Sequence, residues 1–322
     1  MGGGRALYFG GFTNSPAKVS CMQIAMIGLG RMGANMAQRL LRGGHSVVGY
    51  DPAEAARALL ETKGGAAAPS LAALVAKLEP PRALWLMVPA GAVTDATITA
   101  LTPLLAAGDT LIDGGNSNYR DTQRRAAALQ PSGIHYVDSG TSGGVWGLTE
   151  GYSLMIGGEA AVVERMKPIF ETLAPGAAQG WGHVGAVGAG HYTKMIHNGI
   201  EYGLMQAYAE GFSILKHKAE FDLDLEQIAQ IWRYGSVVRS WLLDLTADAL
   251  KKNPTLDGIA PWVADSGEGR WTVSEAVDLG VPAIVITASL LERFRSRDSD
   301  SFVDKLLAAM RNQFGGHDIK KE

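Results

Sequence analysis

The chain has 322 residues, 47% of them hydrophobic and 19% charged, with a formal net charge of −3. That is long enough for one large or two ordinary cored domains, and weak acidity with no Lys/Arg block excludes a general nucleic-acid binder. One cysteine, Cys21, excludes an internal disulfide framework and fits a reducing compartment. No apolar run reaches the ~18 to 20 residues that span a bilayer, so a cytoplasmic protein with neither membrane nor nucleic-acid partners is expected.

The first twenty residues are Gly-rich and lack a basic start followed by an apolar core, so they do not read as a secretory signal. Met22 directly precedes the first strong strand. Residues 1–21 are therefore expected to be an extension, disordered or non-native, outside the fold.

Gln23–Ile27 is a short apolar run, and Gly28-Leu29-Gly30-Arg31-Met32-Gly33 follows at once. A helical pattern runs to about Arg42 and stops at Gly43-Gly44; Ser46–Asp51 then reads as a second buried strand. Strand, glycine fingerprint, helix, strand and an acidic residue ~20 positions on together form a dinucleotide-binding unit. In it Gly28 makes the tight turn, Gly30 admits the pyrophosphate, Gly33 allows helix–strand packing, and the helix N-terminus offers N–H groups to the anion. Asp51 is placed to accept from the adenosine ribose hydroxyls, although an Asp that only starts a turn before Pro52 shows the same residues. Its carboxylate repels a 2′-phosphate and neither Pro52 nor Ala53 offers a cation, so NAD is expected over NADP, with NADP possible.

The alternation continues. Ala83–Val88, Asp109–Asp113 and Ile134–Asp138 read as strands, with helices through about Leu105 and near Arg120–Leu129 between them. This pattern predicts an α/β fold with an N-terminal Rossmann doubly wound parallel sheet. The loops after its strands, Val88-Pro89-Ala90-Gly91, Gly114–Asn118 and Ser139–Gly144, then line the cofactor crevice. Ser153–Gly157 and a helix over Ala160–Leu173 extend the domain, and Gly-rich Trp181–Gly190 reads as a hinge. Beyond it the patterns are helical, from His191 to about Lys216, Leu225 to Tyr234, Arg239 to Lys251, Ile284 to Phe294 and about Phe302 to Gln313. The expected division is a NAD-binding Rossmann domain over 22–188 and an all-helical C-terminal domain over 189–322.

The first of these helices places Lys194, His197, Asn198, Glu201 and Tyr202 at i, i+3, i+4, i+7 and i+8, one face of a 3.6-residue repeat. A solvated stripe shows the same spacing, and the helix alone leaves that reading open. Gly199 and Gly203 cost ~1 kcal/mol each relative to Ala within a helix, which points to close approach of a neighbouring helix or a ligand.

Taken together the motifs resemble the decarboxylating 6-phosphogluconate dehydrogenases, within the wider β-hydroxyacid dehydrogenase group, over residues 22 to 317. Gly28–Gly33, Asp113-Gly114-Gly115-Asn116-Ser117, Ser142-Gly143-Gly144 and Lys194–Tyr202 match in order. Gly267-Glu268-Gly269-Arg270-Trp271-Thr272 and Arg311-Asn312-Gln313-Phe314-Gly315-Gly316-His317 complete the set. The first three and the lysine are shared by the whole superfamily; the His-Asn-x-Ile-Glu-Tyr segment and the basic tail are more specific. The chain is similar to the short bacterial subgroup, which favours NAD. It carries Ser266 where the long form has a phosphate-contacting lysine, leaving Arg270 as a nearby cation to replace it.

The resemblance implies oxidation of 6-phosphogluconate at C3 and loss of CO2 to give ribulose 5-phosphate, a step of the pentose phosphate pathway. Lys194 is then the general base and Glu201 the general acid. An ammonium of ordinary pKa ~10.4 is less than ~0.1% neutral at pH 7, so the base role demands burial and neighbouring positive charge. Asn116, Ser142, Gly143, Gly144, His197 and Asn198 are implied to hold the sugar acid; Tyr202, Arg293, Arg311 and His317 its phosphate. Val88, Pro89, Ala90 and Asn116 border the cofactor. The tail is implied to complete the site of a neighbouring subunit, in a homodimer or homotetramer, and no metal is expected. Another β-hydroxyacid dehydrogenase, of the 3-hydroxyisobutyrate or tartronate-semialdehyde type, would lack Glu201 and the basic tail. A non-catalytic NAD-binding protein would need neither Lys194 nor Glu201 in register.

Overall fold

The structure, a computed structural model, describes residues 21–320. The extension expected over residues 1–21 lies outside them apart from Cys21, which is exposed. The chain divides into two compact units, one through Lys194 and one from Met195 onward.

The first unit is a mostly parallel eight-stranded sheet flanked by helices. In chain order it contains β1 (Gln23–Ile27), α1 (Arg31–Arg42), β2 (Ser46–Tyr50), α2 (Glu54–Thr62), β3 (Ala66–Ala67) and α3 (Leu71–Ala76). Then come β4 (Ala83–Leu86), α4 (Ala92–Leu101), β5 (Thr110–Asp113), α5 (Tyr119–Leu129), β6 (His135–Ser142) and α6 (Gly147–Glu150). β7 (Ser153–Gly157), α7 (Ala160–Leu173), β8 (Trp181–Gly185) and the start of α8 (Ala189–His217) complete it. Spatial order is β3-β2-β1-β4-β5-β6-β7-β8, so the chain reverses direction across the sheet between β1 and β4, where this fold class binds dinucleotides. The strands are apolar on both faces, as a doubly covered parallel sheet demands. Ile24, Met26, Trp85, Ile112 and Val137 pack on one side against α1 and α7; Ala25, Ile27, Leu84, Leu86 and Leu111 fill the other.

Several elements depart from the sequence reading for identifiable reasons. β7 runs antiparallel to β6, although the alternation predicts a parallel sheet throughout. Trp181–Gly190 is not a hinge: Trp181–Gly185 is β8, paired with β7, and the Trp181 ring stacks on Phe170 with centroids 5.7 Å apart. Its glycines hid a strand that has little side chain of its own. α4 ends at Leu101 and passes into a 3-10 turn at Thr102–Leu104, where Pro103 stops the α-helical ladder.

The second unit continues α8 and adds α9 (Leu225–Trp232), α10 (Trp241–Lys252), α11 (Glu268–Asp278), α12 (Ile284–Arg295) and α13 (Phe302–Gly315). Its described residues contain no strand. Phe212, Ala229, Leu243, Ala247 and Leu250 form its small buried cluster. α11 begins inside the Gly-Glu-Gly-Arg-Trp-Thr motif, whose two glycines concealed a helix start.

Candidate active site

The glycine-rich turn is built by close approach. Gly28 has φ +91°, and a Cβ there would lie 2.4 Å from the Met87 carbonyl oxygen, so only glycine fits between β1 and β4. A Cβ on Gly33 would stand 1.9 Å from the Gly28 carbonyl oxygen, while one on Gly30 would meet nothing within 4 Å. Gly30 is also the N-cap of α1 and brings no side chain to that helix end, whose first N–H groups lack intrahelical partners. An open backbone face at an uncapped N-terminus is what a diphosphate requires. Leu29 is buried, Arg31 exposed and Met32 half-buried beside it.

Asp51 lies just past the end of β2. Its Oδ2 accepts the Leu29 N–H at 2.8 Å and its Oδ1 the Ala53 N–H at 2.8 Å, which fixes the carboxylate beside the glycine turn. Two ionised oxygens offer about four acceptor positions, so these two bonds leave acceptor capacity on the carboxylate. The absence of a cation at Pro52 and Ala53 is offset from further along the chain. Arg57, in α2, reaches back with Nη1 to the carbonyl oxygens of Asp51 (2.7 Å) and Pro52 (3.1 Å).

The next two loops are held by one buried carboxylate. Asp113 accepts from Tyr136 Oη at 2.9 Å, Ser117 Oγ at 2.8 Å, the Gly115 N–H at 3.1 Å and Arg125 Nη1 at 3.4 Å. Burial, with the Asp113 carboxylate beside it, pushes the Tyr136 phenol well above its ordinary range, so it stays a donor. Arg125 also bonds Ser117 Oγ at 3.0 Å, the Gly91 carbonyl at 3.3 Å and Asp95 at 2.8 Å. It ties the Val88-Pro89-Ala90-Gly91 loop to the Gly114–Ser117 loop and leaves Asn116 exposed between buried Gly115 and Ser117. That Arg125 bond is the main reason the Asp95 carboxyl falls below the usual range.

β6 ends at Ser142, and Gly143-Gly144 turn away from it with positive φ. Higher in the same strand, a Cβ on Gly140 would stand 2.5 Å from the Lys194 Cβ and 2.6 Å from the Gly190 carbonyl oxygen. α8 therefore rests directly on β6, and the Lys194 stem lies on Gly140. Asp138, fully buried, takes the Gly188 N–H at 2.7 Å and the His191 N–H at 2.8 Å, capping the start of α8. His191 Nδ1 meets Thr122 Oγ1 at 2.7 Å. Asp138, Arg125 and Arg57 were missed by the sequence reading, and Gly140, expected in a loop over Ser139–Gly144, lies within β6, which runs on to Ser142. Asp138 was read only as a strand end, and Arg57 sits on a helix that was not recognised.

Three of the five residues in the polar stripe of α8 are buried. Lys194 is 7% exposed, Asn198 9% and Tyr202 6%, whereas Ile200 and Leu204 are 52% and 45% exposed. That inverts an ordinary surface helix, so the solvated-stripe reading fails. His197 and Glu201, half-exposed, stand 3.8 Å apart, and His197 Nδ1 lies 3.2 Å from Asn198 Oδ1. A Cβ on Gly199 would be 2.6 Å from the Thr272 methyl group, and the Thr272 hydroxyl donates to the Met195 carbonyl at 2.8 Å. α11 is thus the helix whose approach Gly199 permits.

In the same unit the Arg293 guanidinium lies 3.6 Å over the Tyr202 ring, and its Nη1 donates to the Ala264 carbonyl at 2.7 Å. Ser266 Oγ stands 3.4 Å from Tyr202 Oη and donates to buried Glu268. Arg270, the nearby cation, is bonded through Nε to Asp265, whose side chain is 1% exposed, and its guanidinium lies 4.5 Å from the centre of the Phe294 ring. Burial raises the Asp265 carboxyl, but Arg270 and the Gly267 N–H outweigh it and leave it below the usual range. The structure thus joins Tyr202 with Arg293, while Arg311 on α13 and His317 beyond it are exposed. No cluster of metal-ligating side chains occurs among the described residues.

Residues 23–187 match the family model for the NAD binding domain of 6-phosphogluconate dehydrogenase, and residues 190–321 match the model for its C-terminal domain. The chain belongs to the 6-phosphogluconate dehydrogenase family. A family member of Haloferax volcanii, named as NAD(+)-dependent and decarboxylating, is 44% identical over 302 residues, 94% of this chain and 99% of that one. A Bacillus subtilis member named as NADP(+)-dependent is 41% identical over 291 residues, 86% of this chain and 62% of its own. Among solved structures, Plasmodium falciparum 6-phosphogluconate dehydrogenase superposes with a TM-score of 0.78 at 28% identity, covering 94% of this chain and 66% of that one. It was solved in its apo form, with NADP+ and with its substrate 6-phosphogluconate. Family members named for either cofactor thus resemble this chain to a similar degree, and no described helix is long and apolar enough to cross a membrane.

Proposed function

We propose that this chain catalyses the oxidative decarboxylation of 6-phospho-D-gluconate to D-ribulose 5-phosphate and CO2, reducing NAD+ in preference to NADP+. The observation that carries the proposal is the polar stripe of α8, with Lys194 and Asn198 buried where an ordinary helix would bury Ile200 and Leu204. Family membership supplies the substrate; Asp51 beside the glycine turn supports the preference for NAD.

The residues fit the cofactor. The N–H groups at the start of α1, around Gly28, Gly30 and Gly33, would hold the diphosphate, Asp51 the adenosine ribose, and Val88, Pro89, Ala90 and Asn116 would border the nicotinamide. Bound NAD+ supplies the hydride acceptor. Lys194 takes the proton of the C3 hydroxyl as C3 gives up hydride, leaving a β-keto acid. The ammonium so formed polarises the new carbonyl and returns its proton to that oxygen as CO2 departs, giving an enediol. Glu201 protonates the carbon that becomes C1 while Lys194 recovers the hydroxyl proton, and ribulose 5-phosphate results. Ser142, Gly143, Gly144, Asn116, His197 and Asn198 hold the sugar acid. Tyr202, Arg293, Arg311 and His317 hold the phosphate, the last two reaching a neighbouring subunit.

A homodimer or homotetramer accords with the apolar surface of the helical unit, where Ile284 is 78% exposed, Phe302 73% and Val285 68%. A cytoplasmic location accords with the single cysteine. The test is NADH formation and CO2 release from 6-phosphogluconate, with Lys194→Ala as control. Equal turnover by the variant, or none by the parent, rejects the reading.

A further inference from the structure

Arg57 is a cation placed where the strand-end sequence offers none, and the reaction assigned above does not use it. Its position is over-determined. The Asp51 carboxylate is pinned by the Leu29 and Ala53 N–H groups, and Arg57 Nη1 is pinned by the Asp51 and Pro52 carbonyl oxygens at 2.7 and 3.1 Å. One turn therefore carries a carboxylate and has a guanidinium bonded to its backbone. Both acceptors use the same nitrogen, Nη1, and no hydrogen bond involving Nε or Nη2 links Arg57 to another described residue. The side chain is half-buried, so the guanidinium is not sealed in the core.

The chemistry of the two groups is opposed. A carboxylate at the end of β2 accepts ribose hydroxyls and repels a phosphate on the 2′ oxygen. A guanidinium with an open edge binds phosphate by charge-assisted, two-point hydrogen bonding. We propose that Arg57 sets how far this chain accepts a cofactor bearing a 2′-phosphate: Asp51 disfavours it, and Arg57 keeps it from being excluded. NADP use then depends on both residues, whereas NAD use depends on Asp51 alone. The proposal rests on the reading of residues 22–188 as a dinucleotide-binding unit.

Binding measured by calorimetry, without substrate, separates the two. Titrants are NAD+, NADP+ and adenosine 2′,5′-bisphosphate. In Arg57→Ala the affinities for NADP+ and the bisphosphate are expected to fall about tenfold or more, the loss of a charged hydrogen bond, while NAD+ affinity changes by less than about threefold. Arg57→Gln removes the charge while keeping a polar side chain, and is expected to show the same selective loss. Asp51→Asn is expected to tighten NADP+ in the parent but not in the Arg57→Ala background. In the unaltered protein, NADP+ affinity should weaken with added salt more steeply than NAD+ affinity. Equal weakening of NAD+ and NADP+ in Arg57→Gln, or no change in either, overturns the role of Arg57 while leaving the binding unit in place. Failure of the unaltered protein to bind any of the three titrants overturns the underlying reading.

Discussion

The carboxylate of Asp138 accepts the backbone N–H of His191 at 2.8 Å, one helical turn ahead of Lys194. A residue with no exposure at the end of the β5–β6 pairing thereby fixes where α8 begins. Asp138→Ala would leave the buried Gly188 and His191 N–H groups without their acceptor, at a cost on the order of 3 kcal/mol. A lowered urea midpoint, together with a loss of turnover larger than the change in NAD+ affinity, is the expected result. An unchanged midpoint would show that water replaces the carboxylate.

Gly140 offers a sharper probe of Lys194. Its Cβ would press on the Lys194 stem at 2.5 Å and on backbone at Gly190, neither of which is a flexible chain end. Gly140→Ala is expected to destabilise by about 1–3 kcal/mol through overpacking and to cut kcat about a hundredfold by misplacing the base. Rapid kinetics that found kcat intact would mean Lys194 is not the base.

His45 makes a pH-dependent contribution that is independent of the site. It is 3% exposed; its Nδ1 accepts the Met22 N–H at 3.1 Å and its Nε2 meets Thr172 Oγ1 at 2.8 Å. Because Nδ1 accepts the Met22 N–H the ring is neutral, and because the Thr172 hydroxyl donates to the Pro168 carbonyl the ring proton sits on Nε2. Burial holds its pKa below the ordinary ~6.5 despite opposing hydrogen bonds. The unfolded chain therefore binds the proton first, so stability is complete above about pH 6.5 and falls as pH drops through the lower folded value. Thermal unfolding at pH 7.5 and 5.5 should show this loss, and His45→Gln should flatten it. Equal slopes for the two proteins would contradict it.

Removing the chain from Arg311 onward tests the phosphate end. KM for 6-phosphogluconate is expected to rise about tenfold or more, equivalent to ~1.4 kcal/mol or above, with NAD+ affinity nearly unchanged. Parallel loss of both would count against a phosphate role for Arg311 and His317. Sedimentation of the truncated chain reports whether the oligomer survives.

How much of this was visible in the sequence follows from the range of each interaction. The β1–α1–β2 unit was legible because its signals are local: an apolar run, glycines at fixed spacing, then Asp51. The α8 stripe was legible in spacing but not in direction, since Lys194 facing inward depends on Gly140, more than fifty residues away. Arg57 and Arg125 were not legible, because an arginine on a helix says nothing about which carbonyl or carboxylate it reaches. Trp181–Gly185 misled because glycine-rich sequence has the same composition in a hinge and in a strand paired to a neighbour. The start of α11 within the GEGRWT segment carried no helical signal, because its N-cap, Gly267, has φ +105°.

The Asp113 cluster bears on how this loop can be borrowed. Its acceptor oxygens are saturated by Ser117 and Gly115 from the loop itself, but also by Arg125 and Tyr136 from the next helix and strand. A protein engineer who grafts Asp113–Ser117 alone onto another scaffold imports a buried anion stripped of half its donors. The portable module is the loop with its arginine and tyrosine, and a graft that omits either should fold poorly before its ligand binding is ever in question.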